Sequence, residues 1–136
     1  MSVDSEVDMT VKEASILIVD DDSHFRETLT DALSLRKLEV HSVTSGAEAL
    51  KILETMTPSV MLLDVQLPDI HGFELCRILK RSQRLKNVPV VFLSARYTEP
   101  ADRVEGLIAG ADAYLSKPIG LEALWDEVRY LLDKSA

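Results

Sequence analysis

The run Val60-Met61-Leu62-Leu63-Asp64, followed by Pro68, constrains this chain more than any other stretch. A short unbroken apolar run bounded by a turn signal suits a strand buried on both faces, as in a parallel sheet. Such strands sit under helices on either side, and ligands bind outside their carboxyl ends. Asp64 stands at that end, on a rigid support and facing a crevice.

Similar runs recur along the chain. Ser15 to Asp20 (SILIVD) reads as a first strand and leads into Asp20-Asp21-Asp22. Ser23 can cap a helix carrying Phe25, Leu29, Ala32 and Leu33 on one face. Leu38 to Val43 alternates, which fits a half-buried second strand at a sheet edge. Ala47, Leu50 and Leu53 mark a second helix that must stop before Pro58. After the loop through Pro68 and Gly72, a third helix carries Phe73, Cys76, Ile78 and Leu79. Val88 to Ser94 is a fourth strand. A fourth helix starts near Glu99 or Pro100, carries Val104, Leu107 and Ile108, and ends near Gly110. Ala113 to Ser116 is a short fifth strand before Lys117-Pro118. The last helix begins near Leu121, with Leu124, Trp125, Val128, Leu131 and Leu132 as its stripe.

Five βα units in unbroken alternation imply an α/β fold, a parallel sheet covered on both faces. Right-handed crossovers and the alternating second strand favour the doubly wound order 2-1-3-4-5, a flavodoxin-like three-layer sandwich. The expected division is a flexible lead-in at 1–14, one domain at 15–133 and a tail at 134–136.

Composition narrows the class. With 136 residues the chain is long enough for one domain. Its single cysteine, Cys76, allows no internal disulfide. The acidic N-terminus lacks a secretory pattern, and no apolar run approaches membrane-spanning length. A cytoplasmic protein without membrane insertion is therefore expected. The net charge of −8 argues against direct nucleic-acid binding, which needs a basic footprint.

In the order 2-1-3-4-5 the strand tips bring Asp20, Asp21, Asp64, Ser94 and Lys117 to one crevice. Carboxylates packed together raise one another's pKa, and a hard divalent cation relieves the repulsion. With a metal bound, a phosphate can approach an anionic nucleophile. Ser94 can donate a hydrogen bond to it and Lys117 can supply a point charge. The set reads as a phosphoryl-transfer site with Asp64 as the nucleophile.

At these spacings ILIVDDD, LLDVQLPDIHGFEL, VVFLSA and GADAYLSKP together resemble the receiver domain of two-component response regulators. The resemblance covers about residues 14 to 133. Receivers share the 2-1-3-4-5 order, so that order is not independent of it. The resemblance implies that Asp64 is the phospho-acceptor in a phosphorelay, supplied by a histidine kinase or histidine phosphotransfer protein. It implies Mg²⁺, with Mn²⁺ able to substitute. Asp21 and Asp64 are its direct ligands, Gln66 lends a backbone carbonyl, and Asp20 acts through water. Ser94 is the switch hydroxyl, Lys117 contacts the phosphoryl oxygens, and the Lys117-Pro118 bond is cis. Tyr114 matches an aromatic that swings between exposed and buried positions. The side chains of Gln66 and Arg96 occupy places that tune hydrolysis in the family. Such a domain is a signalling phosphoacceptor, not an enzyme acting on an outside substrate. It switches a surface on the fourth helix, fifth strand and fifth helix toward an output partner or domain.

Several marked residues have plainer readings. Asp22 suits a surface or capping role, His24 and His41 the surface, His71 a loop without chemistry, and Cys76 and Trp125 the core. Two other functions fit parts of the pattern. A haloacid-dehalogenase-like phosphatase would use Asp20 and Asp22 as its D-x-D pair, but leaves Asp64 unexplained. A pseudo-receiver would keep the fold as a phosphorylation-independent interaction module, which the intact Asp21, Asp64, Ser94 and Lys117 set argues against. A stand-alone receiver, a piece of a longer regulator and a receiver of a hybrid kinase all remain compatible with the sequence.

Overall fold

The computed structural model describes residues 14–135. The lead-in expected at 1–14 lies, except for Ala14, outside the described residues. The elements are β1 (Ser15–Val19), α1 (Ser23–Ser34), β2 (Glu39–Val43), α2 (Gly46–Ile52) and β3 (Val60–Asp64). They continue with α3 (Gly72–Lys80), β4 (Val90–Ser94), α4 (Pro100–Ile108), β5 (Ala113–Ser116) and α5 (Leu121–Ser135). The strands form one parallel sheet in the order β2-β1-β3-β4-β5, the order that the crossovers favour and the receiver resemblance implies.

Strand periodicity divides the core in two. Leu17, Val19, Met61, Leu63, Val90 and Phe92 face one way and meet Ala49, Leu53, Phe73, Leu75, Cys76, Leu79 and Ala109 from the α2, α3 and α4 side. Ile16, Ile18, Val60, Leu62, Val91 and Leu93 face the other way, against Leu29 and Leu33 of α1 and Leu124, Val128 and Leu131 of α5. Both faces of β1, β3 and β4 are therefore dry. The edge strand β2 is not: Glu39 and Ser42 are exposed. Cys76 is core, as expected; burial pushes its thiol up to about 11, and its Sγ lies 3.4 Å from the Ala109 carbonyl.

Local details depart from the sequence reading. The N-cap of α1 is Asp22, not Ser23; Asp22 Oδ1 accepts the Phe25 N–H at 3.1 Å. The strands β2 and β4 start at Glu39 and Val90, later than expected, because the residues before them serve as connections. In α2 the buried face is Gly46, Ala49 and Leu53, while Ala47 and Leu50 are exposed. The helix α5 runs on through Lys134 and Ser135, into the segment expected as a tail, with no helix breaker to stop it. The helix α4 turns its apolar residues outward. Val104, Leu107 and Ile108 are 55%, 51% and 77% exposed, and the contact face is Gly106 and Ala109. Small residues line that face because the Tyr114 and Phe73 rings already fill the space beneath it; a Cβ on Gly106 would stand 2.7 Å from Tyr114 Cδ2 and 3.2 Å from Phe73 Cε1.

Candidate functional site

Strand register builds the site. Val19 pairs with Leu63, so Asp20 and Asp64 leave adjacent strands at the same level. Asp64 pairs with Leu93, and Ser94 pairs with Ser116, which puts Lys117 just beyond β5. The Lys117 N–H donates to the Ser94 carbonyl at 2.8 Å, and the Lys117-Pro118 peptide is cis, as the resemblance implies.

Lys117 reaches back over the sheet end. Its Nζ lies 2.7 Å from Asp20 Oδ2 and 3.6 Å from Asp64 Oδ2. Oxygens of Asp20, Asp21 and Asp64 all lie within 4.8 Å of one another. Asp20 is almost fully enclosed, Asp64 nearly so, and Asp21 is exposed at the mouth. A cleft of about 370 Å³ opens over them, lined also by Gln66, Ser94, Arg96 and Lys117. Burial, joined by the neighbouring Asp20 charge, raises the Asp64 carboxyl from its ordinary 3.8 to about 6, against the pull of Lys117 and the Gln66 N–H. Three hard carboxylate donors at this spacing, around a carboxyl whose charge is under strain, fit a small oxygen-seeking dication such as Mg²⁺.

The remaining expected residues divide. Gln66 is exposed, and its N–H donates to Asp64 Oδ1 at 3.2 Å, orienting that carboxylate. Ser94 reaches the cleft, but its Oγ is occupied by the loop after β4, accepting the N–H groups of Tyr97 at 2.8 Å and Arg96 at 3.3 Å. Tyr114 lies away from the carboxylates in the buried position. Its hydroxyl donates to the Tyr97 carbonyl, and burial pushes its pKa up. Asp22 is engaged in capping α1.

Three residues with structural duties around the site escaped the sequence reading. The sequence gives His71 a loop place without chemistry. It is the N-cap of α3, its Nδ1 accepting the Phe73 N–H at 3.2 Å, and its ring meets Phe73 and Tyr97 edge-on. Asp69 ties the loop after β3 to the start of α2, accepting the N–H groups of Gly46 and Ala47 at 2.9 Å each; those bonds hold its carboxyl below the usual range. Arg103 of α4 donates to the Tyr114 carbonyl and to Ser116 Oγ, both at 2.9 Å. Histidine is not among the favoured N-cap types, so His71 carries little signal; Asp69 caps a helix far from it in sequence, and nothing in the sequence marks Arg103.

A sequence model of the response regulator receiver domain matches residues 16–129. The chain belongs to the response regulator receiver family. Similar curated proteins include the transcriptional regulatory protein GltR of Pseudomonas aeruginosa, 42% identical over 93% of this chain and 52% of its own length. The response regulator MprA of a Mycobacterium species is 40% identical over 89% of this chain and 51% of its own. This receiver thus spans about half the length of the curated relatives it matches. Among solved structures, a response regulator from Chloroflexus aurantiacus superposes with a TM-score of 0.84 at 34% identity, covering 90% of this chain and 99% of that one. The receiver domain of a signal transduction histidine kinase from Syntrophus aciditrophicus gives 0.82 at 33% identity, covering 89% and 91%. A two-component signalling receiver, not a dehalogenase-like phosphatase, is therefore the function class; Asp22 would have been that phosphatase's second carboxylate. Among the described residues, no helix is long and apolar enough to cross a membrane.

Proposed function

We propose that this receiver, over residues 15–133, takes a phosphoryl group onto Asp64 from a histidine kinase or histidine phosphotransfer protein. One observation carries the reading: a single ammonium, Lys117 Nζ, stands within 4 Å of both the Asp20 and the Asp64 carboxylates at the floor of an open cleft. A largely enclosed lysine poised between two carboxylates suits a site that must later accept more negative charge.

Asp21 and Asp64, with the Gln66 carbonyl and with Asp20 through water, would hold the Mg²⁺. An ion held there would neutralise the carboxylates and the incoming phosphate. An Asp64 oxygen attacks phosphorus in line, and the bond from phosphorus to the donor's imidazole nitrogen breaks, its electron pair leaving with the imidazole. Lys117 moves from Asp20 toward a phosphoryl oxygen, and Ser94 gives a hydrogen bond to another. To do so Ser94 gives up the Arg96 and Tyr97 N–H groups. The Tyr97 carbonyl also accepts the Tyr114 hydroxyl, so the change at Ser94 reaches Tyr114 through one residue. The exposed Val104, Leu107 and Ile108 on α4, with β5 and α5, form the surface that answers. GltR is named a transcriptional regulatory protein, which supports an output of that kind.

Incubation with acetyl phosphate and Mg²⁺, followed by intact mass spectrometry, tests the chemistry. One phosphoryl adduct is expected on the wild type and none on Asp64→Asn. An adduct on both proteins, or on neither, rejects Asp64 as acceptor.

A further inference from the structure

Lys117 has a third neighbour that the phosphorelay reading does not use. The Phe25 ring lies under its ammonium, with Nζ 4.3 Å from the ring centroid. An ammonium has three N–H groups. One goes to Asp20 Oδ2, and Asp64 Oδ2 stands at 3.6 Å. Among the described residues no carbonyl or hydroxyl bonds the third. The Phe25 ring covers that side where a solvated lysine would hold water.

The ring is placed by the same acidic run that furnishes the site. Asp22 caps α1 and binds the Phe25 N–H, so the cap that sets the first turn also aims this side chain. Phe25 itself is partly buried against the Ile16 and Ile18 side of the core. Asp20, Asp22 and Phe25 thus form one unit: a carboxylate for the ammonium, a cap for the turn, and a π face beneath the charge. The face of an aromatic ring carries negative potential and attracts a cation, more strongly where water is excluded. The Lys117 side chain is only 14% exposed, so water is mostly excluded here.

We propose that Phe25 is a positioning residue for Lys117: its ring face holds the ammonium over the cleft, ready for the phosphoryl group. This rests on the reading that Lys117 serves phosphoryl transfer onto Asp64. Leucine at this position supplies apolar bulk without the π face. The lysine then samples solvent, and its charge is no longer in place when the donor arrives.

The test uses the full chain with acetyl phosphate and Mg²⁺, following adduct formation by mass spectrometry. Phe25→Leu is expected to slow phosphoryl uptake about three- to tenfold, and Phe25→Trp to keep it. Phenylalanines of increasing fluorination at position 25, which weaken the π face at nearly constant shape, are expected to slow uptake stepwise. The melting temperature should not follow that series. Without phosphate or metal, the Lys117 side-chain proton shifts are expected upfield in the wild type and relaxed in Phe25→Leu. Wild-type uptake in Phe25→Leu, or a flat fluorination series, overturns the proposal while leaving Asp64 as acceptor. Unshifted Lys117 protons in the wild type overturn it directly. If the wild type itself takes no phosphoryl group, the functional reading fails first, and this role of Phe25 fails with it.

Discussion

The helices α4 and α5 precede and follow the same strand, β5, yet are held in opposite ways. The helix α5 sinks Leu124, Val128 and Leu131 into the core, each at most 3% exposed. The helix α4 buries only Gly106 and Ala109 and turns Val104, Leu107 and Ile108 to solvent. Its tie to the sheet is largely polar: Arg103 binds the Tyr114 carbonyl and Ser116 Oγ, and lies over the Tyr114 ring at 5.6 Å. Large apolar side chains locked in a dry core resist displacement. A helix resting on a glycine and an alanine, tethered by one arginine, gives up little when it shifts. The difference separates the anchored side of this receiver from the side suited to move.

The comparison breaks most directly by truncation. Leu124→Ala on α5 is expected to cost about 3 kcal/mol, from lost burial and the cavity left behind. Leu107→Ala on α4 is expected to stay within about 0.5 kcal/mol, as at ordinary surface positions. Urea unfolding of both variants decides it. A Leu107→Ala loss near that of Leu124→Ala would mean that α4 is anchored after all.

This contrast also marks where sequence stopped being informative. Unbroken apolar runs ending in polar residues make β1, β3 and β4 legible, because only strands buried on both faces need them. The alternation of β2 likewise announced its edge position. Once the strand tips were known, register alone gathered Asp20, Asp64 and Lys117. A helical stripe says less, since periodicity shows that residues share a face and not which way the face points. The sequence places Val104, Leu107 and Ile108 on α4, and the structure turns them outward because Tyr114 fills the space beneath Gly106. Asp69 and Arg103 were hidden for another reason: their partners lie 22 and 23 residues away for Asp69, and 11 and 13 for Arg103. Local patterning cannot reveal such contacts.

The cleft sets a third region beside these two helices, one in which a carboxyl is held against its own charge. Asp64 has its carboxyl raised from 3.8 to about 6, chiefly by burial and then by the Asp20 charge. Its charged form is thus disfavoured in the folded, metal-free protein. The stability linked to this group is fully present below pH 3.8 and is lost as pH rises through about 6. Two units correspond to about 3 kcal/mol, an upper figure once solvent at the cleft mouth is considered. In EDTA at pH 7, Asp64→Asn is expected to be more stable than the wild type by about 2 kcal/mol, and near pH 4 the advantage should vanish. Denaturant titrations at the two pH values measure this. Mg²⁺ should narrow the gap at pH 7 by binding the wild type more tightly. An equal advantage at both pH values would point to packing instead of charge.

After the near-null result expected for Leu107→Ala, the smallest expected change in stability carries the finest information. Gly106 sits inside α4, where alanine would ordinarily gain about 1 kcal/mol of helix propensity. Here an added Cβ would meet Tyr114 Cδ2 at 2.7 Å and Cε2 at 2.8 Å, closer than packed atoms allow. Either the ring leaves or the helix rises. If α4 is as loosely held as its buried face implies, Gly106→Ala expels Tyr114 from beneath it. The net loss of stability is then expected to stay near 1 kcal/mol, because helix propensity offsets part of the lost ring burial and of the bond to the Tyr97 carbonyl. Tyr114 ring protons should become accessible to a dissolved paramagnetic probe without any phosphoryl donor. In a helix anchored as α5 is, the same strain has no outlet. The loss would reach several kcal/mol with the ring still shielded, and that result would place α4 among the fixed parts of the molecule.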